Sequence, residues 1–241
     1  MADFFRPEWP APNTVRALQT LRSGGVSRVP WDSFNLAGHV GDNPADVVLN
    51  RELLRRQLPA EPCWLSQVHG NVAVNAPSAQ ENSMADAAFS RQPGVVCAVM
   101  TADCLPVLFC DRAGSVVAAA HAGWRGLLSG VLEQTVVGMR VPGEQLLAWL
   151  GPAIGPENFE VGDEVRQAFV ASDAAATLAF KPHAQGKWLA NLELLARQRL
   201  NSMGVGAIFG GGMCTVDDHS RFYSYRRDGI TGRMASLIWL A

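Results

Sequence analysis

The chain lacks most features that announce an unusual scaffold or environment. No two of its five cysteines stand in a C-x-x-C pair, so the sequence encodes no tight structural zinc knuckle. No stretch approaches about 20 uninterrupted apolar residues. The opening MADFFRPEWP has neither a basic region before an apolar core nor a cleavage site, so the expected protein neither spans a membrane nor is exported. An excess of one charge is missing too. Twenty basic residues against 22 acidic ones give a formal net charge of -2 and a pI near 6.2, which argues against a broad surface for DNA, RNA or anionic lipid. Lysine is nearly absent, with only Lys181 and Lys187 among the basic residues. That skew carries little functional weight, although Arg221, Arg226, Arg227 and Arg233 crowd together near the end of the chain.

What is present is a globular composition, 48% hydrophobic and 17% charged, without repeats, low-complexity tracts or a dividing linker. We expect one domain over residues 1–241. At this length about 70–75% of the unfolded surface is buried on folding, so stability requires no disulfide or metal staple. An odd number of cysteines, with Cys97 and Cys110 inside apolar runs, fits buried thiols in a reducing compartment, and the cytoplasm is the expected location. The expected assembly is a monomer or weak homo-oligomer.

Residues 14–21 predict a first strand that ends at the Gly24-Gly25 turn, and the Gly-, Asn-, Asp- and Pro-rich segment 31–44 predicts a long loop. Asn43 and Pro44 then open a helix to about Leu58, because Asn caps well, Pro suits the first turn, and Val47, Val48, Leu54 and Leu58 share a face. Short strands at 63–68 and 71–75 bracket His69. From residue 94 the runs GVVCAVMTA, LPVLFCD and SVVAAAH predict three strands separated by short turns. A helix over 126–140 follows, its first amides available to an anion. A strand at 146–150, helices at 163–172 and 191–203, and strands near 206–209 and 234–240 complete the reading. The irregular alternation predicts an α+β fold rather than a doubly wound sheet.

Three residues on separate segments stand out: His69 in SQVHG, Cys104 in TADCLPV and His121 in HAGWRG. Each falls where a predicted strand ends, flanked by Gly, Asp or Pro. Two imidazoles and a thiolate suit zinc or copper, and three protein ligands leave a fourth position open for water or substrate. With zinc, one thiolate and two neutral imidazoles leave a net charge of +1, suited to an anion or to lowering the pKa of a bound water. A lone histidine is more often a surface or hydrogen-bonded core residue, and Cys104 among apolar neighbours also fits packing; it is the joint set that points to a metal.

Across nearly the whole chain, RSGGVS (22–27), NLAGHVGDNP (35–44), SQVHG, TADCLPV, HAGWRG, GPAIGPENFEVGDEV (151–165) and FYSYRRDGITGR (222–233) resemble the YfiH-like or laccase-domain family. Members are described as multicopper polyphenol oxidase-like and as zinc-dependent purine nucleoside phosphorylases. The resemblance implies a layered α+β sandwich with mixed sheets between helices, similar to the catalytic domain of a bacterial deamidating toxin. It implies that His69, Cys104 and His121 hold zinc, with copper as an alternative. It further implies phosphorolysis of adenosine, inosine, guanosine and methylthioadenosine, with deamination of adenosine, so the expected partners are a small purine nucleoside and phosphate.

Within that chemistry Asp103 is the candidate proton shuttle, or else a turn-forming residue or a partner that orients a ligand histidine. Arg125, four residues after His121 at a helix start, is the candidate phosphate clamp. Arg226 and Arg227 are weaker candidates for the same task. His39 either approaches substrate or supports its loop, and Trp124 and Phe222 either stack on a purine or belong to the core. A true multicopper oxidase needs a mononuclear copper and an imidazole-rich trinuclear cluster, and five histidines cannot supply both. Copper-dependent polyphenol oxidation is therefore secondary, arising if copper displaces zinc. The remaining alternatives are a Cys104 nucleophile with His121 or His69 as base, as in an amidase or a hydrolase that edits peptidoglycan precursors, and a metal-binding module without catalysis.

Overall fold

The computed structural model describes residues 3–80 and 82–241. The first half of the chain contains β1 (Phe4–Phe5), β2 (Val15–Thr20), α1 (Pro44–Arg55), β3 (Ala73–Asn75), β4 (Ala87–Ser90), β5 (Cys97–Thr101), β6 (Leu105–Asp111) and β7 (Val117–Ala122). Next come α2 (Trp124–Leu128), α3 (Val131–Met139), β8 (Leu146–Leu150), β9 (Glu160–Val161), α4 (Asp163–Ser172), β10 (Phe180–Pro182) and β11 (Trp188–Ala190). The last elements are α5 (Leu192–Ser202), β12 (Ala207–Gly210), α6 (Tyr225–Asp228) and β13 (Met234–Leu240).

Two large sheets stack face to face. One is antiparallel in the order β1-β2-β13-β5; the other is mixed in the order β12-β8-β6-β7-β4-β3, with parallel pairs at its two ends. A third, small sheet joins β10, β11 and β9. The period of two along each strand builds the layers. In β6, Leu105, Val107 and Phe109 face the cluster formed with α3 and α5, while Leu108 and Cys110 face the other sheet. In β13, Ile238 and Leu240 join that inter-sheet cluster, while Leu237 and Trp239 pack outward with Leu54 of α1, Phe34 and Leu36. The result is helix, sheet, sheet, helices: the α+β class that the irregular alternation predicts, in the layered sandwich that the family resemblance implies. Central strands with both faces covered read as continuous apolar runs, which is why β5, β6 and β7 are buried along their whole length.

Several boundaries differ from expectation. The helix that opens at Asn43, whose side chain accepts from the Ala45 amide at 3.0 Å, ends at Arg55 rather than Leu58. The chain there tightens into three-residue bonds, Gln57 to Leu54 and Leu58 to Arg55, because Pro59 forbids a further helical turn. The predicted helix over 126–140 is two helices, broken at Gly130, whose φ of 91° lies outside the helical region. Segment 63–68 forms no continuous strand; its ladder pairing is limited to the isolated bridges Cys63 with Cys97 and Ser66 with Met84. Gln67 takes over part of a strand's work: its amide donates to the Met100 carbonyl at 2.8 Å and accepts from the Met100 amide at 2.7 Å. The small sheet, β4 and the one-turn α6 had no expectation at all, being too short to show a period.

Candidate metal centre

The turn between β5 and β6 carries Cys104, the end of β7 carries His121, and the loop pinned to β5 by Gln67 carries His69. Their ligand atoms all lie within 4.8 Å of one another. The Cys104 sulfur stands 3.9 Å from His69 Nε2, and the two imidazoles meet edge to face with centroids 4.8 Å apart. Tetrahedral zinc places a sulfur and a nitrogen ligand about 3.5 Å apart, so the set fits a metal of that size with little movement. His121 is buried and His69 exposed, which leaves one side of the group open.

The backbone is shaped for this meeting. His69 adopts φ 59° and Asp103 φ 88°, left-handed conformations that cost side-chain-bearing residues of order 1–3 kcal/mol unless their surroundings hold them. Gly123 is required by proximity: a Cβ there would stand 2.8 Å from the Cys104 sulfur and 3.2 Å from His69 Cδ2. A Cβ at Gly126 would meet the Gly70 carbonyl at 2.7 Å, so two glycines of HAGWRG let α2 close against the His69 loop.

The residue that fastens the centre is Asp86, which the sequence reading missed. Fully buried immediately before β4, it accepts from His121 Nδ1 at 2.8 Å and from the amides of His69, Gly70 and Val68 at 2.9, 2.7 and 3.2 Å. One carboxylate thereby fixes the His121 tautomer, turning Nε2 toward the group, and holds the left-handed His69 in place. Burial alone would raise the Asp86 pKa; the bonds from His121 and Gly70 outweigh it and hold the group below the usual carboxylate range. Burial likewise opposes ionisation of Cys104, but the charge and hydrogen bond of His121, with His69 behind it, bring its pKa down to about 6. For His121 burial pulls down, and the Cys104 thiolate with the Asp86 carboxylate lifts it to about 9. Asp86 lies in SMADAAF, where no spacing or motif marks it; only the fold brings it under His121.

The trio opens into a cavity of about 320 Å³, a size common for small-molecule sites. Its walls include Phe159, Ile154, Tyr225, Arg226 and Arg233, of which only Arg226 and, as one of a cluster, Arg233 drew attention from sequence. Asp103 lines the cavity, yet both its carboxylate oxygens are engaged: Oδ1 accepts from the Thr215 hydroxyl at 2.6 Å and Oδ2 from the Arg226 amide at 2.7 Å. Its carbonyl accepts from Ile154 at 2.9 Å, so Asp103 ties the Cys104 turn to both loops of the opposite wall. Arg226 donates to the carbonyls of Asn158 and Glu160 and lies 5.5 Å over the Phe159 ring. Arg233, bonded to the Thr231 and Gly232 carbonyls, is less basic than usual, first because of its burial. His39 also lines the cavity and is held below its ordinary pKa by burial, then by the charges of Arg233 and Arg51.

The other candidates lie elsewhere. Arg125 is exposed and stacks 4.5 Å over the Trp124 ring, outside the cavity lining. Arg227 is tied to the carbonyls of Thr215, Val216 and Phe222 and to Asp228. Phe222 is fully buried with Tyr223 and Met234, and Trp124 packs against the helix-side core.

Comparison with known proteins places this architecture. A family model described as multi-copper polyphenol oxidoreductase laccase matches residues 16–241. The chain is 57% identical over 241 residues to a purine nucleoside phosphorylase of Pseudomonas aeruginosa, covering all of this chain and 99% of that one. It is 56% identical over 243 residues to the purine nucleoside phosphorylase YfiH of Escherichia coli, covering both completely. Among solved structures, a Neisseria meningitidis protein superposes with a TM-score of 0.96 at 53% identity over 98% of each chain. YlmD from Geobacillus stearothermophilus superposes at 0.88 and 30% identity, over 98% of this chain and 96% of its own. With its layers, its His-Cys-His group and these relatives in agreement, the chain belongs to the family described as multi-copper polyphenol oxidoreductase laccase, whose YfiH members are named purine nucleoside phosphorylases.

Proposed function

We propose that this protein is a zinc-dependent purine nucleoside phosphorylase acting on adenosine, inosine, guanosine and methylthioadenosine, with adenosine deamination as a second activity. The observation that carries the reading is one cavity holding a metal-ligand trio, two arginines and aromatic walls together. The relatives named for this activity support it at the level of reaction class.

In phosphorolysis a phosphate oxygen forms a bond to the anomeric carbon, the bond from that carbon to the purine nitrogen breaks, and the base leaves with the electron pair and takes up a proton. The site must therefore hold an anion, present it in line with the departing base, and keep competing water out. Arg233 and Arg226 are the cations placed to hold phosphate, and their carbonyl partners fix the guanidinium planes before substrate arrives. Phe159 and Tyr225 offer faces to the purine. Zinc held by His69, Cys104 and His121 supplies Lewis acidity and positive charge when bound.

Asp86 orients two of those ligands. Asp103, with both oxygens accepting from fixed donors, acts in this reading as an anchor for Cys104 and Arg226 in place of the proton shuttle expected from sequence. Copper-dependent oxidation is the less supported alternative, because the only His/Cys/carboxylate group of metal-holding geometry among the described residues is this trio.

The test is product analysis with inosine and the metal-replete protein. Phosphate-dependent release of hypoxanthine with equimolar ribose 1-phosphate supports the proposal. Release of free ribose at the same rate without phosphate would make the enzyme a hydrolase. A metal-free protein that loses activity on stoichiometric alkylation of Cys104 would favour the nucleophile reading.

A further inference from the structure

The turn α6 places two side chains in the cavity, Tyr225 and Arg226, yet four residues in one helical turn hold few bonds of their own. Arg227, on the same turn, lies outside the cavity lining, with a side chain 21% exposed. All five of its N–H donors are engaged. Nε and Nη2 donate to the Asp228 carboxylate at 2.8 and 2.7 Å, Nη1 donates to the carbonyls of Thr215 and Val216 at 2.7 and 3.1 Å, and Nη2 reaches the Phe222 carbonyl at 3.0 Å.

These bonds belong to a closed ring. Thr215, fully buried, accepts from Arg227 at its carbonyl and donates its hydroxyl to Asp103 Oδ1 at 2.6 Å. Asp103 Oδ2 accepts from the Arg226 amide at 2.7 Å, and Arg226 is the chain neighbour of Arg227. The Thr215 amide donates to the Ala153 carbonyl at 3.0 Å, so the ring also grips the loop that bears Ile154. The core secures the chain on either side of α6 without it. Phe222 and Tyr223 are fully buried, the Tyr223 hydroxyl donates to the Trp31 carbonyl at 2.7 Å, and Met234 pairs with Thr101 in the sheet. What the ring adds is a fixed place for the exposed turn between them, the part that carries Tyr225 and Arg226.

We propose that Arg227 and Thr215 are positioning residues of the substrate wall, acting through Asp103 and the backbone of α6 to hold Tyr225 and Arg226 in place before substrate arrives. The inference rests on the phosphorylase reading and deepens it. Neither residue needs to touch substrate or metal. Five acceptors spread over four residues demand a planar fork, so a lysine at 227 keeps the charge but not the placement.

The test measures phosphorolysis at varied inosine and varied phosphate, using the zinc-loaded full chain with Arg227→Lys, Thr215→Val, both together, and Thr215→Ser as the conservative control. Zinc content and Tm are taken for each. We expect either of the first two to raise KM for inosine and for phosphate together, because α6 carries a ring face for one and a cation for the other. The fall in kcat/KM should be about 10–100-fold, the scale of a displaced binding group, with zinc stoichiometric. Thr215→Ser should stay within about 3-fold of wild type. Since both residues act through one ring, the double variant should lose much less than the product of the single losses. A lower Tm with both KM values unchanged makes the ring structural alone and overturns the proposal. Losses that multiply in the double variant overturn it, as does a fall in activity matched by a fall in zinc. Should Arg227→Lys fail to fold, Thr215→Val against Thr215→Ser decides, and equal KM values in the two overturn the proposal. A wild type without phosphate-dependent turnover overturns the phosphorylase reading and this proposal with it, whereas wild-type turnover with normal KM values in the variants overturns the ring alone.

Discussion

The two walls of the site are built in opposite ways. On the metal-ligand side, His121 and Cys104 sit at the ends of fully buried strands, and Asp86 beneath them accepts four hydrogen bonds from one position. On the facing side, Phe159, Tyr225, Arg226 and Arg233 come from loops and a single helical turn, held mostly by backbone carbonyls. A strand end tolerates little displacement, whereas a loop held by carbonyls can be retuned without disturbing the core. On the proposed function, the difference assigns to the first wall whether the chemistry occurs and to the second what it occurs on. Variants on the two walls should therefore fail differently, in metal content on one side and in substrate parameters on the other.

The largest effect is expected from removing a ligand. Cys104→Ala should abolish stoichiometric zinc and lower phosphorolysis by more than about 100-fold, since loss of an outer hydrogen-bond partner alone commonly costs 10–100-fold in a metal site. The fold should survive, because the three layers of apolar core are complete without the ion. Metal analysis, circular dichroism and an inosine assay check this together. Full turnover in a protein free of zinc would break the division between walls.

Next comes Asp86→Asn. The amide retains one acceptor but turns an NH2 toward amides that also donate, leaving one or more buried groups unsatisfied at about 1–3 kcal/mol each. Zinc affinity, read by competition with a chelator, should fall about 10–100-fold, and Tm should fall as well. The loss should be recovered in part by excess zinc, with KM for phosphate little changed. A rise in that KM with unaltered zinc affinity would place Asp86 functionally on the other wall.

How much of this was legible before folding follows the same boundary. His69, Cys104 and His121 could be singled out because metal chemistry admits few residue types and each stood where a strand pattern stopped. The strands that carry them were readable for the same reason: buried on both faces, β5, β6 and β7 show uninterrupted apolar runs. Asp86 was invisible because an aspartate that accepts backbone amides has no spacing rule, and its partners lie up to 35 positions away. Arg233 was one of four arginines crowded near the end of the chain, and only its place in the cavity separates it from Arg221 and Arg227. The helix break at Gly130 was hidden because the apolar period continues across it and a single glycine is compatible with a helix. Arg125 drew attention as a guanidinium four residues after His121 at a helix start; it does stand in the first turn of α2, but outside the lining of the cavity, and a helix start alone does not say which way a side chain leaves it.

Arg233→Ala addresses the second wall and should have a smaller overall effect than ligand loss. It removes a guanidinium from the cavity without touching the trio, so zinc content should stay stoichiometric. KM for phosphate should rise about 10-fold or more, the scale of one charge-assisted bond at about 1.5–3 kcal/mol, with a lesser effect on kcat. Steady-state kinetics at varied phosphate provide the check, and loss of zinc would mean that the walls are not separable.

The smallest effect sharpens the comparison most, because it sets two arginines against each other. Arg125 lies only four residues from His121, whereas Arg233 lies more than a hundred away, so proximity in sequence favours the first as a phosphate ligand and the cavity favours the second. Arg125 makes an exposed stack on Trp124, worth about 0.5–1 kcal/mol. Arg125→Ala should lower Tm by no more than a few degrees and leave KM for phosphate within about 2-fold of wild type, with zinc content and deamination unchanged. A selective rise in phosphate KM comparable to that of Arg233→Ala would mean that α2 rearranges to bring Arg125 into the site when substrate binds, and the loop-built wall would then include a helix of the rigid side.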